Sequence, residues 1–152
     1  MRWPALRWRS QIVLVIFTDM DESPVFQLKE FPAHLGLGAR VEREPRFTGI
    51  EWYREYSERH AADGGEGRLV SMHSFGASWD SWEMHPAGSE LVVCTAGRMT
   101  LHQEIDGRRL TITLTAGEAV INPSGAWHTA DVEGPCTALF ITPGLGTQTR
   151  PR

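Results

Sequence analysis

Apolar and polar residues alternate in short runs along the second half of the chain. The clearest run is 109–115, where Leu110, Ile112 and Leu114 fall on one face and threonines on the other. A period of two residues is typical of a β-strand that buries one face. An Asp-Gly pair at 106–107 precedes this run, and that dipeptide is a strong signal for a two-residue hairpin turn. The pattern therefore predicts neighbouring antiparallel strands.

Similar apolar or alternating runs recur from residue 68 onward, and turn residues separate them. The chain has 15 glycines and 9 prolines, an excess that favours tight turns over long helices. Short strands joined by such turns predict an all-β sandwich or barrel. The predicted strands are 69–75, 78–85, 91–95, 98–105, 109–115, 119–122, 127–132 and 137–142.

The length of 152 residues fits a single domain, which we divide into three parts. Residues 1–67 form an N-terminal extension and arm, 68–143 the β-barrel, and 144–152 a C-terminal tail. Prolines and glycines make 21–48 irregular, and 50–60 fits a short helix. The arm is therefore expected to be irregular and partly helical. It would cover an edge strand or pack on a second subunit.

Residues 1–19 differ in composition from the rest, with three arginines and one acidic residue. The apolar run 12–17 is too short to span a bilayer. Our preferred interpretation is that translation starts at Met20 and that the preceding residues are an upstream extension. The alternative is that 11–17 adds a further strand, which its β-branched residues would permit.

Charge and cysteine content narrow the function classes. The net charge is −4 with both signs interspersed, so nucleic-acid binding is not expected, and neither is membrane insertion. The two cysteines, Cys94 and Cys136, lie in apolar runs and are expected to be buried free thiols. The expected location is the cytoplasm.

Four residues at suitable spacing could together bind a metal. Glu83 and His85 are two apart on one predicted strand, so their side chains leave the same face. The Pro-Ala-Gly-Ser turn at 86–89 then brings Glu90 beside them, and His128 follows a second Pro-x-Gly turn. Two imidazoles and two carboxylates can form the first coordination shell of a divalent ion.

The same residues resemble the two motifs of the cupin superfamily, in particular small single-domain cupins of the type-2 conserved-barrel kind. Glu83-x-His85-x4-Glu90-x6-Gly97 resembles the first motif, in which a histidine usually occupies the position of Glu83. Gly117-x5-Pro123-x-Gly125-x2-His128 resembles the second motif, in which an asparagine usually occupies the position of Val132.

The resemblance implies a jelly-roll barrel (double-stranded β-helix), commonly a homodimer, with one divalent metal ion and no organic cofactor. The implied ligands are Glu83, His85, Glu90 and His128, and the ion would be Fe, Mn, Zn or Ni. Because Glu83 replaces a family ligand, it either binds the metal or points to solvent or to an arginine. Without metal, Glu83 and Glu90 would form a general acid/base pair.

Two functions follow from this picture. The first is a metal-dependent enzyme of the oxygenase, isomerase or lyase type that acts on a small organic molecule within the barrel. The second is a non-catalytic cupin, with or without metal, that binds or senses a small ligand. The sequence does not decide whether the chain is an enzyme, and it names no catalytic acid or base.

The remaining predictions concern the surroundings of the site. Val92, Cys94 and Leu139 are expected to line the barrel interior, and His73 could reach the pocket. The tryptophans at 82 and 127 are expected on the opposite face from the ligands. The other histidines (His34, His60 and His102) are expected to be exposed.

Overall fold

The computed structural model describes residues 24–152. The predictions for 1–19, an upstream extension or an added strand at 11–17, lie outside the described residues. Strands dominate the described part: β1 (Ala33–Gly36), β2 (Arg40–Arg43), β3 (Arg68–Phe75), β4 (Ser81–Met84), β5 (Glu90–Ala96), β6 (Arg98–Ile105), β7 (Arg108–Thr115), β8 (Ala119–Asn122), β9 (Trp127–Asp131), β10 (Cys136–Thr142) and β11 (Gln148–Pro151). Helix α1 (Ile50–Arg59) and two short 3₁₀ turns (Leu37–Ala39 and Ala61–Glu66) complete the fold.

The strands form two antiparallel sheets. One has six strands in the order β2-β1-β3-β10-β5-β8, and the other has five in the order β11-β4-β9-β6-β7. The predicted hairpin joins β6 to β7, and its turn residues Asp106 and Gly107 both have positive φ, 50° and 73°. Positive φ at both positions is the geometry that an Asp-Gly hairpin favours. The all-β jelly-roll class predicted from the sequence is confirmed.

The hydrophobic core lies between the two sheets. Val92 and Cys94 of β5 and Phe140 of β10 pack there against Met99 and Leu101 of β6. We expected Val92, Cys94 and Leu139 to line the barrel interior. Val92 and Cys94 do lie there, at 0% exposure, but in the packed core rather than in the cavity wall. For Leu139 the expectation is wrong, because alternation along β10 places it on the face opposite Ala138 and Phe140. Cys94 and Cys136 are buried free thiols, as expected.

Gly97 connects β5 to β6 and cannot be replaced without strain. Its φ is +76°, and a Cβ atom there would lie 2.2 Å from the carbonyl oxygen of Pro135. Only glycine combines this left-handed conformation with so close an approach. The turn glycine of the first motif therefore has a structural role.

The arm contains more regular structure than its sequence indicated. We expected 21–48 to be irregular, but β1 and β2 pair there in antiparallel fashion, and β1 also pairs with β3. At the other end, β11 pairs with β4. Each of these strands has four residues of which at most two are apolar, so no alternating pattern marks them in the sequence. The division at residues 67/68 and 143/144 remains a prediction, and both flanks contribute strands to the sheets.

Helix α1 packs on the six-stranded sheet through one face. Trp52 and Tyr56 are four residues apart, which places them on the same side of the helix, and both are buried. Their rings stack at 5.4 Å between centroids and pack with Leu69 of β3. Amphipathic packing of this kind explains why the predicted helix forms. None of the helices among residues 24–152 is long and apolar enough to cross a membrane.

Beneath α1, polar side chains form a buried arrangement that we call the arm network: His34, Glu44, Tyr56, His60 and Asp63. His34 Nδ1 lies 2.7 Å from the Tyr56 hydroxyl, and its Nε2 lies 2.7 Å from Asp63 Oδ2. His60 stacks on His34 at 3.6 Å between centroids, and its Nε2 lies 2.6 Å from Glu44 Oε1. We expected His34 and His60 to be exposed, and this is wrong for both: His34 has 0% exposure and the His60 side chain 10%. The polar residues next to these histidines in the sequence suggest exposure. The residues that bury them come from distant positions in the chain.

Candidate metal centre

Three short elements bring the four predicted ligands together. Glu83 lies on β4 and is paired directly with His128 of β9, so their side chains emerge side by side from the same face. His85 directly follows β4, and the carbonyl of His85 accepts a hydrogen bond from Gly125 N at 3.0 Å. Glu90 opens β5 of the other sheet. The cluster therefore bridges the two sheets.

Distances within the cluster suit a shared cation. His85 Nε2 lies 3.4 Å from Glu90 Oε1, and His128 Nε2 lies 3.2 Å from Glu90 Oε2. One ligand atom each from Glu83, His85 and His128 lies within 4.8 Å of the others. Because metal–ligand bonds are about 2 Å long, donors around one ion are separated by roughly 3–4 Å.

The hydrogen bonds of the two imidazoles fix which nitrogen faces the cluster. His128 Nδ1 lies 3.2 Å from the carbonyl oxygen of Ala126, which can only accept, so Nδ1 carries the proton. The Thr147 hydroxyl donates to the Gly144 carbonyl at 3.1 Å and therefore accepts from His85 Nδ1 at 2.9 Å. Both rings consequently present Nε2 to the cluster. Metal-binding histidines are oriented in this way by an outer hydrogen bond.

Both Nε2 atoms are buried and make no hydrogen bond. A buried polar atom without a partner costs about 1–3 kcal/mol, so proteins seldom leave one, and here two lie side by side. Each carries a lone pair in the tautomer set by Ala126 and Thr147. The residues present therefore fit a bound cation.

Glu90 supplies a fixed negative charge to the cluster. It is 3% exposed, and it accepts hydrogen bonds from Asn122 Nδ2 at 2.9 Å and from the Thr142 hydroxyl at 2.6 Å. Burial raises the pKa of Glu90, but the neighbouring His128 and His85 outweigh burial and hold that pKa well below its ordinary value. Gln103 in turn donates to Asn122 Oδ1 at 2.7 Å. Glu90 is therefore ionised and held in one orientation.

The negative charge of Glu90 raises the pKa of both Glu83 and His128, which disfavours the charged form of Glu83 and favours that of His128. Burial, and then the negative charge of Glu90, raise the pKa of Glu83. Burial lowers the pKa of His128, but Glu90 more than compensates and the net pKa is raised. Among residues 24–152, Glu83 has no hydrogen-bond partner. The cluster as a whole therefore favours added positive charge, which a divalent ion provides.

A cavity of about 720 Å³ leads to the cluster, with Glu83, His85 and Glu90 in its wall. Helix α1 forms one side, because Ile50, Tyr53 and Ser57 recur at helical spacing and face it. Within the part of the chain that the structure describes, no lysine or arginine lines the cavity. Aromatic side chains dominate the wall: Phe47, Tyr53, Tyr56, Phe75, Trp79 and Phe140.

The structure places the other singled-out residues as follows. His73 lines the cavity, and burial lowers its pKa. Trp82 and Trp127 are not part of the wall, and both rings contact the guanidinium of Arg150. His102, expected to face solvent, is largely covered and bonded to Asp131 at 2.7 Å.

Several site residues were not found from the sequence. Thr147, which orients His85, lies in the predicted tail, and Asn122 and Thr142, which orient Glu90, lie at the ends of strands. Tyr53 lies within the predicted helix 50–60 but was not recognised as a site residue. The recurrence of residues 50, 53 and 57 on one helix face was the signal that could have indicated a second wall.

The chain forms a two-sheet sandwich with a histidine and carboxylate cluster between its sheets. Residues 74–142 match the family model of the cupin domain. This match supports the resemblance found in the sequence. None of the curated proteins matches the chain.

Several solved structures share parts of the fold. A cupin-2 domain containing protein from Shewanella frigidimarina NCIMB 400 is 20% identical over 56% of this chain and 71% of its own, with a TM-score of 0.42. Hydroquinone 1,2-dioxygenase from Sphingomonas sp. TTNP3, with 4-hydroxybenzoate bound, is 16% identical over 49% of this chain, with a TM-score of 0.42. The chain spans 58% of the length of that dioxygenase. At such identities and TM-scores, these likenesses carry no conclusion about activity.

Proposed function

We propose that this chain is a metal-dependent enzyme of the oxygenase, isomerase or lyase type that acts on a small organic molecule in the cavity. Glu83, His85, Glu90 and His128 would hold one divalent ion. The observation that carries the proposal is the pair of buried, unpartnered Nε2 atoms beside the ionised Glu90. In the neutral tautomers that Ala126 and Thr147 hold, neither Nε2 has a proton to donate to Glu90, so each presents a lone pair to the cluster.

The donor set bears on the identity of the ion. Two carboxylates and two neutral imidazoles balance the charge of a divalent ion, giving a site of zero formal charge. Imidazole suits Zn, Fe and Ni, and carboxylate oxygen extends the range to Mn. The absence of a thiolate in the cluster disfavours thiophilic ions. We therefore propose Fe, Mn, Zn or Ni.

When bound, such an ion would polarise a substrate oxygen or activate water or O₂. The chain itself contributes orientation and exclusion of water. Thr147 and Ala126 hold the two imidazoles in one tautomer, and Asn122 and Thr142 hold Glu90. The aromatic wall excludes water from one side of the cluster, which strengthens electrostatic interactions there.

Two further parts of the proposal concern assembly and location. Both edge strands of the six-stranded sheet expose an aliphatic side chain, Val41 on β2 at 68% and Ile121 on β8 at 60%. Unpaired edges with apolar residues favour association, so we propose a homodimer. Size-exclusion chromatography with light scattering would show about twice the monomer mass. The buried free thiols Cys94 and Cys136 agree with a reducing cytoplasm, where we propose that the protein acts.

Metal analysis tests the central proposal directly. Protein purified without chelator is expected to carry about one equivalent of metal by plasma mass spectrometry. His85→Ala and His128→Ala should lose it, and circular dichroism should show that both variants remain folded. His73→Ala is the matched control, because His73 lines the same cavity outside the cluster, and it should keep its metal. Folded wild-type protein that binds none of the four ions in calorimetric titration would refute the proposal.

Glu83 needs a separate test, since it replaces a histidine of the family pattern. If Glu83 is a ligand, Glu83→Gln should weaken metal binding about 10-fold or more, because the amide is a poorer donor and the site loses its charge balance. Calorimetric titration of chelator-treated protein measures this effect. An unchanged affinity would leave His85, Glu90 and His128 as the protein ligands.

A further inference from the structure

The cavity wall beside the cluster is a continuous aromatic surface. The rings of Phe75, Trp79 and Phe140 lie 5.6–6.1 Å apart, each in contact with the other two. Trp79 also reaches the cluster, since its ring centroid lies 6.4 Å from that of His128. Rings at such distances prefer offset or edge-on contacts, and a further ring can join them in the same way. The surface suits a planar, ring-shaped ligand.

Charge on the wall argues against an anionic ligand. The charged side chains that line the cavity are acidic, namely Asp80, Glu83 and Glu90. In residues 24–152 no arginine or lysine lies in the wall to pair with a carboxylate or phosphate. Because the metal-loaded cluster is formally neutral, an anion would give up its hydration without gaining an opposite net charge. A neutral ligand avoids this cost.

Tyr53 provides a polar group on the side facing the cluster. It lies on α1, lines the cavity, and its ring is held edge-on by Phe47 and Trp52 at 5.4 and 5.6 Å between centroids. Its hydroxyl has no hydrogen-bond partner among the described residues. Burial, and then the charges of Glu83 and Glu90, raise the pKa of Tyr53 to about 12. The hydroxyl therefore keeps its proton at neutral pH and is able to donate.

We propose that the cavity takes an uncharged aromatic molecule bearing a carbonyl or hydroxyl oxygen, and that Tyr53 positions it by donating a hydrogen bond to that oxygen. The ring lies on the surface formed by Phe75, Trp79 and Phe140. This inference deepens the proposed function and rests on it for the role of the neighbouring cluster. Tyr53 is a positioning residue in this scheme, and the metal-binding residues keep their roles.

Three probes of similar size separate charge from hydrogen bonding: acetophenone, benzoate and ethylbenzene. Each is titrated by ligand-observed NMR at pH 7 into zinc-loaded and into metal-free protein. Acetophenone is expected to bind at least about 10-fold more tightly than benzoate in both forms, which corresponds to about 1.4 kcal/mol. Benzoate binding as tightly as acetophenone, or no binding of acetophenone, overturns the proposed ligand class.

Tyr53→Phe tests the hydrogen bond. Acetophenone should bind about 2- to 10-fold more weakly to this variant, the range for one lost hydrogen bond, while ethylbenzene binding stays within about twofold. Tyr56→Phe is the matched control, since its hydroxyl already bonds His34 Nδ1 at 2.7 Å, and it should leave the ratio of acetophenone to ethylbenzene affinity unchanged. Equal loss for both probes, or loss for neither, overturns the role of Tyr53.

Zinc content, measured on the same samples, separates this inference from the proposed function. Protein that binds acetophenone as expected but takes up no metal refutes the proposed function and leaves the ligand class standing. Protein that takes up zinc but prefers benzoate refutes the ligand class and leaves the proposed function standing.

Discussion

The metal cluster and the arm network are built from the same side chains, buried histidines and carboxylates, yet they differ in how their polar atoms are paired. In the arm network both nitrogens of His34 are bonded, to Tyr56 and to Asp63. In the metal cluster His85 and His128 each have one bonded nitrogen and one buried nitrogen without a partner.

This difference in pairing distinguishes a structural cluster from a metal-binding one, which the distances between the side chains alone do not. His34, His60 and Asp63 also lie close enough together to hold an ion. However, the Asp63 carboxylate is already bonded to His34 and Arg40, and an arginine beside a site disfavours a second cation. We therefore interpret the arm network as structural and the metal cluster as functional. The comparison teaches that an unsatisfied atom is more informative than a cluster of ligand-type residues.

The largest effect is expected from His34→Ala. The substitution removes the bond partner of the Tyr56 hydroxyl and leaves Asp63 with Arg40 alone, and breaking a buried pair costs about 3–5 kcal/mol. Urea unfolding measures the loss of stability, and metal content should stay at one equivalent. His102→Ala, on the outer face of the other sheet, is the control and should cost about 1 kcal/mol or less. Loss of metal from the folded His34→Ala variant would reverse the assignment of the two clusters.

A somewhat smaller effect is expected from adding metal. An ion that binds only the folded state stabilises it by about 2.7 kcal/mol at 100 times its dissociation constant. For a domain of this size, that corresponds to an increase in melting temperature of roughly 5–10 °C. His34→Ala should show the same increase from its lower starting point, and His128→Ala should show none. Differential scanning fluorimetry with and without chelator measures both, and an equal shift in all three proteins would contradict the comparison.

Tyr56→Phe should have a moderate effect on stability. It removes the hydroxyl bonded to His34 Nδ1 and leaves that nitrogen buried, at a cost of about 1–3 kcal/mol. Chemical unfolding provides the measurement, with Tyr53→Phe as control, because the Tyr53 hydroxyl has no partner among the described residues to lose. If Tyr53→Phe destabilised the protein more than Tyr56→Phe, the account of the arm network would be incorrect.

The smallest effect is expected in the dependence of stability on acid pH. The hydrogen bond from His34, and then the charge of Arg40, outweigh desolvation and lower the pKa of Asp63 below its ordinary value of 3.8. A carboxyl with a lowered folded pKa stabilises the protein above its ordinary pKa, and this contribution is lost as pH falls through the folded pKa. Asp63→Asn should therefore be less stable than wild type at neutral pH, with a difference that narrows below pH 4 or so. A constant difference from pH 7 to pH 2 or so would show that ionisation of Asp63 is not involved.

The fold was predictable where the local pattern and the final environment agree. The run 109–115 alternates because β7 has one face toward the core, and the Asp-Gly turn fixes its pairing with β6. The strand β2 pairs with its neighbour β1 and was missed together with it, whereas β1 and β11 form by pairing with the distant strands β3 and β4. Their stability depends on tertiary contacts, which no local pattern records.

Some residues of the candidate site could likewise be predicted from the sequence, and others could not. Glu83, His85, Glu90 and His128 were recognisable because strand geometry and two turns fix their relative positions. Thr147 lies 62 residues from His85, and Tyr53 reaches the cavity only because α1 folds back over it. Whether Thr147 and Tyr53 reach the site depends on how the strands and the helix pack together. His34 was misjudged for the same reason, since its partners Tyr56 and Asp63 are 22 and 29 residues away.

The bond between His85 and Thr147 has a consequence for the order of events in folding. It closes a loop of 62 residues, and contacts between such distant positions tend to form late because of the entropy of loop closure. Until β11 docks on β4, the ring of His85 is free to rotate and to exchange its proton between the two nitrogens. Metal capture would then follow the assembly of the sheets rather than guide it. A folding experiment that starts from unfolded chain and free zinc should therefore show the same refolding rate with and without the ion, and a change only in the rate of unfolding.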